Sequence, residues 1–248
     1  MNLLFVDTET TDLGESGRLI QIAYKTADVH DRPTSNPEIV SAYFKPTSTI
    51  SFEAMSVNHI TNEMLMDKIY FSESEEKKDL ETLQNNHVLI AHNAPFDKRI
   101  LEHEGLKFPL WIDTKRVAMH LFESPKYKLQ YLRYSLNLNV QGMAHDAVGD
   151  VAVLEKLFYY LYDLVSKRVV YNIRENVISH MMVLSVPPVL IKKFDFGKYK
   201  GSTLDEVFEF DRRYFSWLYN NQMAKMPSDR DENLIFTLQS YLNNGPKN

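Results

Sequence analysis

Residues 3–13, LLFVDTETTDL, pass from four apolar side chains directly into two acids at alternate positions. Leu3, Leu4, Phe5 and Val6 read as a short buried strand. Asp7 and Glu9 stand at its end, and residues i and i+2 of a strand point to the same face. Two carboxylates so placed raise each other's pKa unless a cation neutralises them. Hard oxygen donors of this kind select Mg²⁺ or Mn²⁺ over softer metals. Taken alone, an Asp-x-Glu pair at a strand end also suits a solvated turn, so the rest of the chain must decide.

Outward from this stretch, Arg18–Lys25 and Glu38–Phe44 alternate as second and third strands, separated by Gly-, Asp-, Pro- and Ser-rich loops. These three form an antiparallel meander. Short helical pieces between Ser51 and Met66 follow, with Ser51 and Thr61 as N-cap candidates, and Ser74 caps a helix through Leu83. His87–Asn93 is a fourth strand. Pro95 suits the first turn of the next helix, and Gly105 suits its end. A fifth strand runs to Asp113. Helices are expected near Lys115–Phe122, Leu129–Leu136 and Asp146–Val165. Strands first, then helices alternating with strands, predict an α/β chain with a mixed sheet flanked by helices. The pattern changes after Arg168. The expected organisation is a main domain over 1–168, a helical linker over 169–190 and a small basic-aromatic C-terminal module over 191–248.

Composition bounds the function classes. The 248 residues carry a net charge of −5, 44% hydrophobic residues and no cysteine. Disulfides and thiolate metal sites are therefore excluded. No apolar run approaches the roughly 18 residues of a membrane span, and the N-terminus enters a strand with no signal-like stretch. A cytoplasmic location is expected. Between Val165 and Gly201, seven basic residues face two acidic ones. A basic segment beside an acidic body suits a polyanion that meets a metal-filled carboxylate site, or else a solvated linker.

Two further stretches carry acids. In AHNAPFD, Ala91–Asp97, a strand runs into a helix start, with His92, Asn93, Phe96 and Asp97 at the strand end, where open sheets place ligands. An acid in the first helical turn is also explained by the helix dipole. In HDAVGD, His145–Asp150, Asp146 is a candidate cap, Asp150 points from the first turns toward the sheet, and His145 sits in the loop before. Together the three stretches resemble the DEDDh 3′–5′ exonucleases, a family of ribonuclease-H-like fold. The resemblance spans about Asn2 to Lys167 and matches Asp7, Glu9, Asp97, His145 and Asp150. It implies that the four acids hold two divalent ions, Mg²⁺ or Mn²⁺, and that His145 is the general base. It also implies a pocket for a terminal 3′-hydroxyl, lined by backbone around Thr8–Thr10 and by His59 of AMSVNHIT. Phe96 packs beneath the terminal sugar or base, or is a buried helix-start residue. Leu13 presses between terminal bases, or anchors its turn. Asp113 and Thr114 take a mainly structural role.

The tail FDFGKYKG…DEVFEFDRRYFSWLYNN, Phe194–Asn221, is similar to that of the exodeoxyribonuclease X branch of the same family. One reading makes it a packing module built on Phe194, Phe196, Tyr199, Trp217 and Leu218. The other sets Lys198, Lys200 and Gly201 on phosphates with an aromatic residue stacked on a base. The expected activity is metal-dependent release of 5′-mononucleotides from DNA, single-stranded or with a free 3′ end, in DNA repair. Homodimers occur among relatives. An RNA-directed exonuclease, a polymerase proofreading subunit and a nucleic-acid-binding module without turnover are the alternatives.

Overall fold

The computed structural model describes residues 1–12, 14–29, 38–140, 147–168, 174–227 and 230–246. His145, Asp146 and Leu13 lie outside the described residues. The chain divides into two compact units, Met1–Val186 and Pro187–Asn248.

The first unit is built on a five-stranded sheet of order β3-β2-β1-β4-β5. Its strands are β1 (Asn2–Thr10), β2 (Leu19–Asp28), β3 (Val40–Tyr43), β4 (His87–Ala91) and β5 (Trp111–Asp113). β1 pairs antiparallel with β2, and β2 with β3, so the expected meander forms. β4 and β5 join in parallel on the other side of β1. The central position of β1 explains its unbroken apolar run, since Leu3, Leu4, Phe5 and Val6 are all 0% exposed. Odd positions face one core and even positions the other. Leu3 and Phe5 pack with α5 (Thr114–Leu121), α7 (Ala147–Ser166) and α8 (Arg174–Leu184). Leu4 and Val6 pack with α3 (Glu75–Leu83) and α4 (Ala94–His103). Each fully buried side chain of this size contributes roughly 1.5–3 kcal/mol.

α7 carries the largest share of the first core. Its Val151, Leu154, Leu157, Phe158 and Leu161 are buried, and the Phe158 ring meets Phe5 edge-on at 5.4 Å between centroids. Glu155 on the same helix is 2% exposed and is neutralised by Lys25 Nζ of β2 at 2.6 Å. α8 lies within this unit rather than in a linker over 169–190. Val177, Ile178 and Met181 are 0% exposed. At its C-terminal end the Ser185 hydroxyl accepts from the Asp113 amide at 2.9 Å and donates to the Met181 carbonyl at 2.8 Å. The unit boundary accordingly falls at Val186, beyond residue 168.

Between β3 and α3 lie α1 (Phe52–Asn58) and α2 (Asn62–Leu65). Ser51 caps α1 through Ala54 N, and Ser74 caps α3 through Lys77 N. Thr61 occupies the N-cap of α2 without a side-chain cap bond. α6 (Leu129–Ser135) precedes α7.

The second unit packs α9 (Leu204–Phe210), α10 (Arg212–Met223) and α11 (Glu232–Asn244) around Phe194, Phe215, Leu218 and Leu238. Before α9 the chain makes an isolated antiparallel bridge, Lys193 with Thr203, around a turn with Gly197 at φ 66° and Gly201 at φ 93°. Such positive φ favours glycine. Thr203 and Glu206 form a reciprocal capping box at the start of α9. Phe194 and Leu218 are buried as the packing reading requires, but Trp217 is 56% exposed and lies outside this core. No helix among the described residues is long and apolar enough to cross a membrane.

Candidate active site

The site follows from where β4 stops. β4 pairs with β1 only as far as Phe5 opposite Ile90, whereas β2 accompanies β1 to Thr10. Val6–Thr10 therefore projects past its parallel neighbour, with backbone groups on one edge that need other partners. The first turn of α4 supplies one. Asp97 Oδ1 accepts from the Thr8 amide at 3.1 Å and from the Thr8 hydroxyl at 2.8 Å. Asp97 thus extends the sheet edge with a carboxylate, and it is only 4% exposed.

Asp7 and Glu9 are half-buried, with Thr8 and Thr10 buried between and beyond them. By strand parity the two acids project to the side of the sheet that α7 covers. Asp150 in the first turn of α7 raises the Glu9 carboxyl, and so does Asp97. Burial is the larger cause, and together these push Glu9 up to about 7. Burial likewise pushes Asp97 up to about 7, against the lowering effect of the Thr8 bonds. Acids from a strand and two helix starts therefore share one low-dielectric region. Among the described residues, no group of three His, Asp or Glu side chains is arranged to hold a metal ion. The donor chemistry fits a hard divalent cation nonetheless: carboxylate oxygens, half-buried or buried, whose mutual repulsion positive charge relieves. Asp7, Glu9, Asp97 and Asp150 are the residues that would hold it.

The predicted substrate residues separate into groups. Thr8 is spent on Asp97, and the Thr10 hydroxyl donates to the Asp12 carbonyl at 2.7 Å. In both, the hydroxyl proton is engaged within the protein. Asn93 is the left-handed N-cap of α4, at φ 75°, a conformation asparagine tolerates. Its amide donates to Asp113 Oδ1 at 2.9 Å, and its side-chain oxygen accepts from Lys115 Nζ at 3.3 Å. Asp113 also caps α5 through Lys115 N, consistent with its structural role. Phe96 is half-buried against the second core, with the Arg99 guanidinium over its ring at 5.3 Å. His59 is exposed at the left-handed C-cap of α1.

Asn58, one residue earlier, is buried beside the end of β1 and was not singled out from the sequence. It is 7% exposed. Its side-chain amide donates to the Thr10 carbonyl at 3.2 Å, its oxygen accepts from the Ile60 amide at 3.0 Å, and it hydrogen-bonds Glu9. Gln130 was also missed. Its amide donates to Asp150 Oδ1, and its own oxygen accepts from Arg133 at 3.2 Å. The sequence signal for Asn58 was a polar residue at the last position of a helix whose interior face is otherwise apolar. Gln130 gave none, because it depends on how α6 packs beside α7. His92, just after β4, is held neutral by burial, which pushes it down to about 4. Its ring bridges the Thr114 hydroxyl and the Tyr127 carbonyl.

A ribonuclease-H-like mixed sheet with carboxylates gathered at the end of its central strand is the architecture of a nuclease, and the chain belongs to the exonuclease family. The family model described as Exonuclease matches residues 4–158, and that described as Exodeoxyribonuclease X-like C-terminal matches residues 194–222. The chain is similar to exodeoxyribonuclease 10 of Escherichia coli (strain K12), with 31% identity over 246 residues that cover 98% of this chain and 99% of the relative. It is also similar to the DNA polymerase III subunit epsilon of Treponema pallidum, 35% identical over 162 residues, 61% of this chain and 72% of that one. Among solved structures, exonuclease X in complex with 5′ overhanging duplex DNA matches with a TM-score of 0.54 and 25% identity, covering 71% of this chain and 99% of that chain.

Proposed function

We propose that this nuclease is a 3′–5′ exodeoxyribonuclease that releases 5′-mononucleotides from DNA, single-stranded or with a free 3′ end, as a cytoplasmic enzyme of DNA repair. The observation that carries the chemistry is the convergence of acids from separate elements: Asp97 of α4 is hydrogen-bonded to Thr8, between Asp7 and Glu9 on β1, and Asp150 of α7 acts on the Glu9 carboxyl. The choice of DNA rests on similarity to exodeoxyribonuclease 10 over nearly the whole length, including the C-terminal unit. The similarity to a polymerase subunit covers a smaller share, 61% of this chain, so proofreading is the weaker reading.

Two Mg²⁺ or Mn²⁺ ions, held by Asp7, Glu9, Asp97 and Asp150, would supply an acidified water and relieve charge on the departing 3′-oxygen. The four carboxylates fix this charge distribution before substrate arrives. Thr8 holds Asp97 in place, Asn58 holds Glu9, and Gln130 holds Asp150. His145 takes a proton from the attacking water on an imidazole nitrogen; an unperturbed pKa near 6.5 suits that task. The water oxygen bonds to phosphorus as the bond to the 3′-oxygen of the preceding nucleotide breaks. In the second unit, Lys200 is exposed and available to a phosphate, whereas Lys198 is engaged by Asp211 at 2.9 Å.

Asp7→Asn and His145→Ala should each reduce Mg²⁺-dependent mononucleotide release from 3′-labelled single-stranded DNA by at least ~100-fold, with an unchanged circular dichroism spectrum. Wild-type rates in Asp7→Asn would refute the mechanism. Matched DNA and RNA substrates decide between the two sugars.

A further inference from the structure

The second unit carries an aromatic arrangement larger than its core requires. Four rings form a ladder along one side. Phe210 meets Tyr199 at 5.5 Å between centroids, and Tyr199 meets Tyr214 at 4.9 Å, both edge-on. Tyr214 then stacks on Trp217 at 5.4 Å with an interplanar angle of 25°. The inner rings are partly or wholly buried, but the end rings are not: Phe210 is 66% exposed and Trp217 is 56% exposed. Neither belongs to the hydrophobic core of the unit. Large apolar side chains left in water at both ends of a continuous row of ring contacts are informative where a scattered exposed residue is not.

The ladder is held rigid. Lys198 Nζ lies 4.5 Å from the Tyr199 centroid and 5.1 Å from that of Tyr214, a cation–π contact with both inner rings. Asp211 accepts from the Tyr199 hydroxyl at 2.5 Å, from Lys198 at 2.9 Å and from the Tyr214 amide at 3.3 Å. The turn before Tyr199 approaches so closely that a Cβ on Gly197 would stand 2.9 Å from the Tyr214 hydroxyl. The acid at the centre of the ladder is thereby consumed internally. Cations at its margins are not. Lys200 follows Tyr199 in the exposed turn, and Arg213, one helical turn before Trp217, lies on the same face of α10; both side chains are exposed.

We infer that the ladder Phe210–Tyr199–Tyr214–Trp217 is a stacking platform for a single-stranded stretch of the nucleic-acid substrate, with bases on the Trp217 and Phe210 rings and phosphates beside Arg213 and Lys200. Aromatic faces interleaved with cations are the chemistry that binds single strands with little regard to sequence. A second copy of this chain fits less well, because it would set Lys200 and Arg213 against their own charges. The inference rests on the nuclease reading for the identity of the polymer, and it adds the residues and the mode of binding. The platform would let the protein hold a strand that its catalytic unit shortens.

The test uses the full chain with divalent metal chelated, so that binding is read without turnover. A fluorescein-labelled oligothymidylate of ~16 nucleotides is titrated by anisotropy. Trp217→Ala should weaken binding about 5-fold or more, and Phe210→Ala by a similar factor. Phe236→Ala, on α11 and 39% exposed, should stay within about twofold of wild type as a control for exposed aromatic residues. The sequence contains two tryptophans. In a Trp111→Phe background, Trp217 is the sole indole, and stacking should quench its emission on titration. Unchanged affinity in Trp217→Ala together with unquenched emission overturns the platform. So does concentration-dependent self-association that Trp217→Ala abolishes. Failure of the wild-type chain to release mononucleotides with Mg²⁺ would instead remove the nuclease reading, whatever the anisotropy shows.

Discussion

The acids of the site are stabilised one bond at a time by neutral side chains. Asn58 ties α1 to the end of β1 through the Thr10 carbonyl and also touches Glu9. Removing it leaves a buried carbonyl short of a donor, which costs about 1–3 kcal/mol. Asn58→Ala should therefore lower thermal stability and reduce the cleavage rate, whereas His59→Ala, at an exposed cap, should leave thermal stability nearly unchanged and act on the cleavage rate alone. A melting curve and a steady-state assay of the two variants check this. The carboxyls themselves set a pH dependence. Glu9 rises from 4.5 to about 7 and Asp97 from 3.8 to about 7 in the metal-free protein. Between those values the folded chain holds protons that the unfolded chain has released, so stability falls as pH rises toward 7. The melting temperature in chelator should drop from pH 5 to pH 8, and less steeply in Glu9→Gln. Mg²⁺ should raise it at pH 8 and do little at pH 5, where protons compete for the same oxygens.

At the scale of elements, the decisive features are a strand that outruns its neighbour and a helix that belongs to the domain before it. β4 ends opposite Phe5, and this lets Asp97 replace a strand partner at Thr8. α8 closes the core over β5 and α7 with three fully buried apolar residues and the Ser185 clamp. A chain cut at residue 168 would expose that surface, while one cut at residue 186 would keep it. Burial of Val177, Ile178 and Met181 is worth several kcal/mol in sum, at roughly 1.5–3 kcal/mol each. Fragment 1–186 should melt cooperatively, and fragment 1–168 should be largely unfolded or aggregated at the same temperature. Calorimetry of the two fragments distinguishes these outcomes.

For the whole molecule, the proposed roles fall in separate compact units. The acids lie in Met1–Val186, and the aromatic ladder with its cations lies in Pro187–Asn248. Deleting 187–248 should raise KM for single-stranded DNA with a smaller change in kcat. The slope of log affinity against log salt should also become shallower, by about 1 for every phosphate that the shorter chain no longer neutralises. Equal salt slopes for the two chains would show that the second unit binds no phosphates.

Local pattern determined much of this protein. The apolar run before Asp7 read as a buried strand, its central place in the sheet being set by pairing, and Asp97 and Asp150 were legible because both lie in sequence that starts a helix. Cap residues such as Ser51, Ser74 and Thr203 act within a few positions of themselves, so their roles needed no tertiary information. Tertiary structure alone decided which side chains support those acids. The resemblance drew attention to His59, and only packing shows that this left-handed cap of α1 is itself exposed while Asn58 before it and Ile60 after it are buried. Gln130 lies twenty residues from Asp150 and meets it only through the packing of α6 beside α7. Trp217 looked like core from composition, yet the buried face of α10 is filled by Tyr214, Phe215 and Leu218, which leaves the indole in water. Sequence specifies contacts that are near along the chain; contacts between elements, and the exposure that results from them, are fixed only when the elements pack.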